Sequence, residues 1–200
     1  MIKNIIFDIG NVLTDFAWEP FYRSFGYAEE IYERLVKATI GTQAWHEFDR
    51  GEWSDEKVFD AFVQNDPGIE KEIREVTENM HGIVTKRDFA IEWIQELKSK
   101  GYQVYVLSNF SKKIETECAD ALDFLPYTDG GILSYRDKVI KPDPVIYHLL
   151  MERYGLIPEE CVFLDDLERN IIAARKCGMH GIIFTSKEKA EKELRELGVV

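Results

Sequence analysis

Short apolar runs alternate with helical patterns along most of the chain. Residues 2–7 are apolar and rich in isoleucine, which predicts a buried strand. Further strands are predicted at residues 104–107, 132–133, 161–164 and 181–184. Such strands alternating with helices form a mostly parallel sheet that is covered on both faces. The pattern therefore predicts an α/β fold with a Rossmann-like parallel sheet and helices on both sides.

Helical patterns fill the segments between these strands. Residues 87–100 place Phe89, Trp93 and Leu97 on one face, and Gly101 follows as a stop signal. Four later helices are predicted: one from about Ser111, one with Asp143 as N-cap and Pro144 at its first position, one through Ala173, Ala174 and Cys177, and one with Ser186 as N-cap.

Residues 16–84 follow a different pattern. They hold no convincing strand but several helical stretches, such as the apolar positions 58, 59, 62 and 63 after Ser54, which is predicted to be an N-cap. We therefore expect a core of residues 1–15 and 85–200 with an inserted, all-helical cap of residues 16–84. Open parallel sheets bind ligands at the carboxyl ends of their strands. An insert after the first strand would cover that edge as a lid.

Composition and charge exclude several classes of protein. Hydrophobic residues make up 45% of the chain, too many for a disordered tail. The net charge of −12 and a pI near 4.9 argue against binding nucleic acid or an anionic membrane. Three widely spaced cysteines favour a reducing compartment over a disulfide framework. Asp8 interrupts the apolar start of the chain too early for a signal peptide or membrane helix, so we expect a cytoplasmic protein.

Polar side chains able to do chemistry stand where the predicted strands end. Taken singly, each has an ordinary explanation as a helix cap, a turn residue or a solvated side chain. Together they point to a site, because the carboxyl ends of parallel strands meet at one edge of the sheet. These residues are Asp8 after the first strand, Ser108 and Asn109 after the second, Lys141 before Pro142, and Asp165 and Asp166 after the fourth.

Three carboxylates at one edge would repel one another strongly. Two unit charges about 4 Å apart cost about 4 kcal/mol at an effective dielectric constant near 20. Protons or a cation must relieve that repulsion, and Mg²⁺ is the ion best suited to carboxylate oxygens. A metal, a lysine and a Ser-Asn pair would together suit a phosphoryl group.

Four segments together resemble the haloacid dehalogenase-like hydrolase superfamily. They are residues 5–13 (IIFDIGNVL), 106–109 (VLSN), 141–147 (KPDPVIY) and 163–166 (FLDD), the last followed by Asn170 and Ala174. They occur in the order of that family's four motifs, and the insert matches its first type of cap. The DIGNV form, with Arg50-Gly51-Glu52 in the cap, is most similar to the bacterial alpha-D-glucose-1-phosphate phosphatase group. The fourth motif is also similar to the phosphatase domain at the amino terminus of some epoxide hydrolases.

The resemblance implies a Mg²⁺-dependent phosphatase that acts on a small phosphorylated metabolite, expected to be a sugar phosphate. Asp8 would attack phosphorus and form an aspartyl-phosphate, which water then hydrolyses. Mg²⁺ would be held by the Asp8 carboxylate, the backbone carbonyl of Gly10 and the Asp166 carboxylate. Asp165 would act as an outer-shell partner through water.

The same resemblance assigns the phosphoryl-binding groups. Ser108 and the backbone of Asn109 would bind the phosphoryl oxygens, and Lys141 would neutralise charge between Asp8 and the phosphate. Asn170 would brace Lys141 or the metal shell.

One position departs from the family pattern. Most phosphatases of the family carry a second aspartate two residues after the nucleophile, as general acid and base, and this chain has Gly10 there. Asn11 cannot replace that carboxyl group, and we expect that Asp15 does not. The absence of a carboxyl group at position 10 predicts one of three things: an enzyme of modest activity, a substrate with a good leaving group such as a sugar 1-phosphate, or another residue that carries the proton.

The cap contributes candidate substrate contacts. Its aromatic residues are expected to be mostly lid core, with one or two of Trp45, His46 and Arg50 facing the active site. Two other functions remain open. One is a metal-independent dehalogenase of the same fold, which the Asp165-Asp166 pair argues against. The other is a non-catalytic protein that binds a phosphorylated metabolite, for which Gly10 is the hint. The sequence determines neither the physiological substrate nor the oligomeric state.

Overall fold

The computed structural model describes residues 1–199. Within them the strands are β1 (Asn4–Phe7), β2 (Thr14–Phe16), β3 (Val84–Lys86), β4 (Gln103–Ser108), β5 (Gly130–Leu133), β6 (Cys161–Asp165) and β7 (His180–Ile183). Five of them form one sheet in the order β5-β4-β1-β6-β7, and every neighbouring pair in it is parallel. The predicted α/β fold is confirmed.

Alternation of side chains along β1 divides the apolar core into two layers. Ile5 and Phe7 belong to one buried cluster, which also holds Trp93. Ile6 points the other way into a second cluster, which holds Tyr147. Side chains of successive strand residues point to opposite faces, so a strand covered on both faces is apolar throughout. This explains the uninterrupted apolar run in β1.

Eleven α-helices occur in residues 1–199. They are α1 (Trp18–Arg23), α2 (Glu29–Thr39), α3 (Gln43–Arg50), α4 (Asp55–Asn65), α5 (Glu70–Glu78), α6 (Phe89–Ser99), α7 (Lys112–Glu117), α8 (Ser134–Asp137), α9 (Pro144–Tyr154), α10 (Glu168–Lys176) and α11 (Lys187–Glu196). Short 3₁₀ turns lie at Pro67–Ile69, Ala119–Leu122, Leu125–Tyr127 and Pro158–Glu160. None of the helices in this range is both long and apolar enough to cross a membrane.

Three predicted N-caps, Ser54, Asp143 and Ser186, are confirmed by hydrogen bonds, and Ser111, near which a helix was predicted to begin, caps its helix in the same way. The side-chain oxygens of Ser54, Ser111, Asp143 and Ser186 each accept a backbone N–H from the first turn of α4, α7, α9 and α11, respectively. Such bonds satisfy donors that have no partner within the helix.

The five helices α1 to α5 all lie between residues 16 and 84, the range of the expected cap, which is called the insert from here on. Two short strands that the sequence analysis did not predict bracket the insert. Strands β2 and β3 pair antiparallel, with Thr14 opposite Lys86 and Phe16 opposite Val84. Each strand has only three residues, too few for a two-residue alternation to be recognised. The pair closes the base of the insert beside the carboxyl end of β1.

Candidate active site

A buried lysine lies at the centre of the charged residues. The Lys141 ammonium nitrogen is 2.8 Å from Asp8 Oδ1 and 2.6 Å from Asp165 Oδ2, and the Lys141 side chain is 2% exposed. A buried charge is tolerated when it is paired and hydrogen-bonded. The two carboxylates raise the pKa of Lys141 against the opposing effect of its burial, so the side chain is held as a cation.

Asp165 is oriented by several donors. Besides Lys141, it accepts the side-chain amide of Asn170 at 3.0 Å on both oxygens and the backbone N–H of Leu167 at 2.8 Å. Asn170 therefore braces Lys141 indirectly, by fixing the carboxylate that Lys141 contacts. Asp165 is fully buried, beneath the floor of the cavity described below.

Asp8, Asp165 and Asp166 come together as a carboxylate cluster. Each offers an oxygen, and these three oxygens lie within 4.8 Å of one another. The register of the sheet brings this about, since Phe7 at the end of β1 is aligned with Leu164 on β6. Asp166 also accepts a hydrogen bond of 3.0 Å from the Asn11 amide. A donor set made of hard carboxylate oxygens fits Mg²⁺.

The electrostatics of the cluster favour a bound cation. Burial raises the pKa of Asp8 to about 7, with Lys141 opposing and Asp165 adding to the rise. Burial likewise raises the pKa of Asp166, although the Asn11 hydrogen bond opposes it. A raised carboxyl pKa means that the ionised form is destabilised where it stands. A divalent ion placed among these oxygens would remove that destabilisation.

Ser108 and Asn109 lie at the carboxyl end of β4, next to this cluster. Ser108 is buried, and it contributes, after Lys141, to opposing the rise in the pKa of Asp8. The Asn109 side chain clamps the backbone of Lys141: its amide donates to Lys141 O at 3.1 Å, and its carbonyl oxygen accepts from Lys141 N at 2.7 Å. The side chain of Asn109 thus joins two loops, and both residues line the cavity.

A cavity of about 430 Å³ opens above these groups. Its polar floor is formed by Asp8, Gly10, Ser108, Asn109, Lys141 and Asp166. Its walls are largely apolar and include Phe16, Ile40, Trp45, Val84, Phe110 and Ile114. The structure therefore gathers the residues predicted from separate strand ends around one space between the sheet edge and the insert.

Helix α3 of the insert reaches this cavity with Trp45, His46 and Asp49. Arg50 instead lies 3.4 Å from Glu47 and does not line the cavity. The sequence analysis missed Asp49. Positions three and four residues apart share a helix face, so the placement of Trp45 and His46 was a signal that could have found it.

Asp15 lies on β2, outside the cavity lining. Its carboxylate accepts two hydrogen bonds from the guanidinium of Arg87, at 2.9 and 2.6 Å. These hydrogen bonds hold the Asp15 carboxylate against Arg87, the residue that follows β3.

Comparison with known proteins yields relatives over nearly the whole chain. "Sesquiterpene phosphatase astK" of Aspergillus oryzae is 25% identical, over 98% of this chain and 96% of its own length. "D-ribitol-5-phosphate phosphatase" of Bacteroides thetaiotaomicron is 27% identical, over 89% of each chain. "Acyl-CoA dehydrogenase family member 10" of Mus musculus is 29% identical over 98% of this chain, which spans only 19% of that longer protein.

A solved structure shows the same fold. The HAD family enzyme bt-2542 of Bacteroides thetaiotaomicron, in its magnesium complex, superposes with a TM-score of 0.73 at 21% identity, over 97% of this chain and 98% of that one. A family model for haloacid dehalogenase-like hydrolases matches residues 2–178. The chain therefore belongs to the haloacid dehalogenase-like hydrolase family, as its four motifs predicted.

Proposed function

We propose that this protein is a Mg²⁺-dependent phosphatase that hydrolyses a small phosphorylated metabolite through an aspartyl-phosphate. The observation that carries the proposal is the buried Lys141 ammonium, paired with Asp8 and Asp165 beside a cluster of three carboxylates. A lone nucleophilic carboxylate would need no such cluster. Three clustered carboxylates are instead expected where they share a divalent ion with a dianionic phosphoryl group.

Each residue of the floor has a role in this scheme. An oxygen of Asp8 attacks phosphorus, and Lys141 neutralises charge between Asp8 and the phosphoryl group. The Ser108 hydroxyl and the Asn109 backbone N–H orient the phosphoryl oxygens.

The metal would be held by the Asp8 and Asp166 carboxylates and the Gly10 carbonyl, with Asp165 behind them. When bound, Mg²⁺ supplies positive charge that offsets the negative charge of the phosphoryl oxygens.

The substrate class is proposed on two grounds. The likeness to a ribitol phosphate phosphatase and the resemblance of the DIGNV motif support a sugar phosphate. The apolar walls favour a second candidate, the phosphate ester of an apolar alcohol, because apolar surface gains little from hydroxyl-rich groups. A screen of phosphorylated sugars, nucleotides and apolar alcohols with Mg²⁺ would rank them, and we expect sugar phosphates to lead. A preference for nucleotides would contradict both candidates.

The basic test is turnover of 4-nitrophenyl phosphate with Mg²⁺ and with a chelator. We expect activity that is lost on chelation, lost in Asp8→Asn, and unchanged in Asp55→Asn, a matched change at an exposed position of α4. Activity that survives chelation, with halide release from a 2-haloacid, would favour the dehalogenase. Binding of inorganic phosphate without turnover of any ester would favour the non-catalytic alternative. The cytoplasmic location stays a prediction.

A further inference from the structure

The floor of the cavity has no obvious group to protonate a leaving alcohol. Gly10 occupies the position where the resemblance leads one to expect a carboxyl group, and Asp15 is held by Arg87. The Asp8 and Asp166 carboxylates belong to the proposed nucleophile and metal site. A proton donor for the leaving group has to come from the walls of the cavity, which the insert provides in part.

Asp49 is the acidic residue that the insert contributes to this cavity. It lies on the last turn of α3, and its carboxyl group makes no hydrogen bond to any residue in the range 1–199. It lines the same cavity as Asp8 and Lys141, so it faces the space in which the reacting groups lie. A half-buried acid without a hydrogen-bond partner, facing a substrate-sized space, is free to exchange a proton with a bound molecule.

The backbone of Asp49 is fixed relative to the phosphate-binding loop. The buried hydroxyl of Ser134 donates to Asp49 O at 2.5 Å and accepts the backbone N–H of Phe110 at 2.8 Å. Phe110 directly follows Asn109. The Lys138 ammonium donates to Gly51 O, two residues beyond Asp49. These contacts tie the end of α3 to the core, so the position of Asp49 over the floor is set by the fold.

We propose that Asp49 is the general acid and base of this enzyme, supplied by the insert in place of the carboxyl group missing at Gly10. The proposal rests on the proposed function, since it concerns proton transfer in phosphate ester hydrolysis.

An Asp8 oxygen bonds to phosphorus while the bond from phosphorus to the leaving oxygen breaks, and protonated Asp49 gives its proton to that oxygen. An alcohol leaves, and Asp49 becomes a carboxylate. Water then attacks the phosphorus of the aspartyl-phosphate, Asp49 takes the proton of that water, and the bond from phosphorus to Asp8 breaks. Inorganic phosphate leaves with Asp8 ionised and Asp49 protonated again.

The electrostatics are consistent with this role. Burial, and next the neighbouring Asp8, raise the pKa of Asp49 to about 7, with Lys141 opposing. A group that must both give and take a proton works best when its pKa is near the working pH. His46 lies on the same helix face three residues earlier and is the rival donor in this cavity.

The test compares two esters that differ in how much their leaving group needs a proton. Nitrophenolate leaves without accepting a proton, whereas the alkoxide of 2-phenylethyl phosphate has to be protonated as it leaves. kcat/KM reports steps only up to the first irreversible one, here cleavage of the ester bond. We expect Asp49→Asn to lower kcat/KM for 2-phenylethyl phosphate about 10²- to 10⁴-fold, and that for 4-nitrophenyl phosphate by less than about tenfold.

A second measurement tests whether Asp49 is the base that takes a proton from the attacking water. With 4-nitrophenyl phosphate, Asp49→Asn should release a burst of nitrophenol equal to the enzyme concentration, because hydrolysis of the aspartyl-phosphate becomes the slow step. Asp55→Asn is the matched control, and His46→Gln tests the rival. Circular dichroism and binding of inorganic phosphate with Mg²⁺ show that each variant is folded.

Several outcomes would overturn the proposal: equal losses on both esters, no loss on either, no burst, or a leaving-group effect that appears in His46→Gln and not in Asp49→Asn. Failure of the proposed function looks different, since wild-type protein would then turn over neither ester in the presence of Mg²⁺.

Discussion

At the scale of single residues, Lys141 and Asp49 are ionisable groups that behave in opposite ways. Lys141 is enclosed by carboxylates and stays charged because they surround it. Asp49 sits near Asp8 with no hydrogen-bond donor of its own among residues 1–199, so its ionised form is the unfavourable one. One group is locked in a single protonation state, and the other is able to change its state.

The pH dependence of the free energy of unfolding should reveal the raised pKa of Asp49. The folded-state pKa of Asp49 is about 7, against an ordinary value of 3.8 that the unfolded chain retains. Unfolding therefore releases a proton between these values, and the stability contributed by protonated Asp49 is lost as the pH rises through that window, by at most about 1.4 kcal/mol per pH unit.

Because asparagine does not ionise, Asp49→Asn should become more stable relative to wild type from about pH 4 to about pH 7. Urea unfolding in the presence of a chelator measures this, with Asp55→Asn as control. A difference between variant and wild type that stays constant with pH would contradict the raised pKa.

A second prediction concerns a variant in which the carboxyl group is moved from position 49 to position 10. A Cβ atom built on Gly10 would meet only Phe16 Cβ, at 3.9 Å, an ordinary contact, so a Cβ fits at this position. Adding Gly10→Asp to the Asp49→Asn variant should therefore cause no clash and should restore at least part of the turnover of 2-phenylethyl phosphate. Gly10→Asn in the same background introduces a side chain of the same size without the acid and should restore none. Steady-state rates of the two double variants decide between a chemical and a steric effect.

The contrast between these residues also shows what a sequence can reveal about a site. Asp8, Ser108 and Asp165 were predictable because each ends an apolar strand, and strand ends of a parallel sheet converge. Asp49 carries no such marker. Helical spacing places it on the same face of α3 as Trp45 and His46. Whether that face meets the cavity depends on how the insert packs on the core, and such long-range contacts are not encoded in local patterns.

At the scale of elements, the contact between α3 and α8 positions the insert. Gly51 ends α3 with φ of +70°, and a Cβ built there would lie 2.8 Å from Tyr135 Cβ and 2.9 Å from Tyr135 O. Glycine is thus required both by the left-handed conformation and by the close approach of α8.

We expect Gly51→Ala to destabilise the protein by at least about 1–2 kcal/mol, the cost of the left-handed conformation alone. Since the overlap would also displace the end of α3, kcat/KM for 2-phenylethyl phosphate should fall more than that for 4-nitrophenyl phosphate. Urea unfolding and the two rates provide the measurement. Gly26→Ala, also left-handed but with open space around the added Cβ, is the matched control and should affect stability without this kinetic difference.

The elements differ in how far the sequence reveals them. The helices capped by Ser54, Asp143 and Ser186 were predictable, because a side-chain oxygen before an apolar stripe is a local signal. The four-residue α8 and the three-residue strands β2 and β3 were not predicted. Elements this short are stabilised by their neighbours, so their own residues contain little periodicity.

At the scale of the whole molecule, a net charge of −12 surrounds a site that already holds three close carboxylates. A divalent cation that binds only the folded chain stabilises it by mass action, by about 2.7 kcal/mol at a hundred times its dissociation constant. We expect Mg²⁺ to raise the thermal unfolding midpoint in a saturable way. Asp166→Asn should abolish most of that shift, and Asp55→Asn should leave it intact. An equal Mg²⁺ effect in both variants would indicate general screening of negative charge.

The hydrogen bond from Ser134 to the end of α3 has a consequence for how such proteins diversify. If the nucleophile comes from the first fifteen residues and the proton carrier from the inserted segment, the two halves of the reaction are inherited on separable pieces of chain. Exchanging the inserted segment between relatives would then transfer the proton-transfer step along with substrate preference. Only recipients that keep a hydroxyl group at the position of Ser134 would hold the carboxyl group of the new insert in the same place.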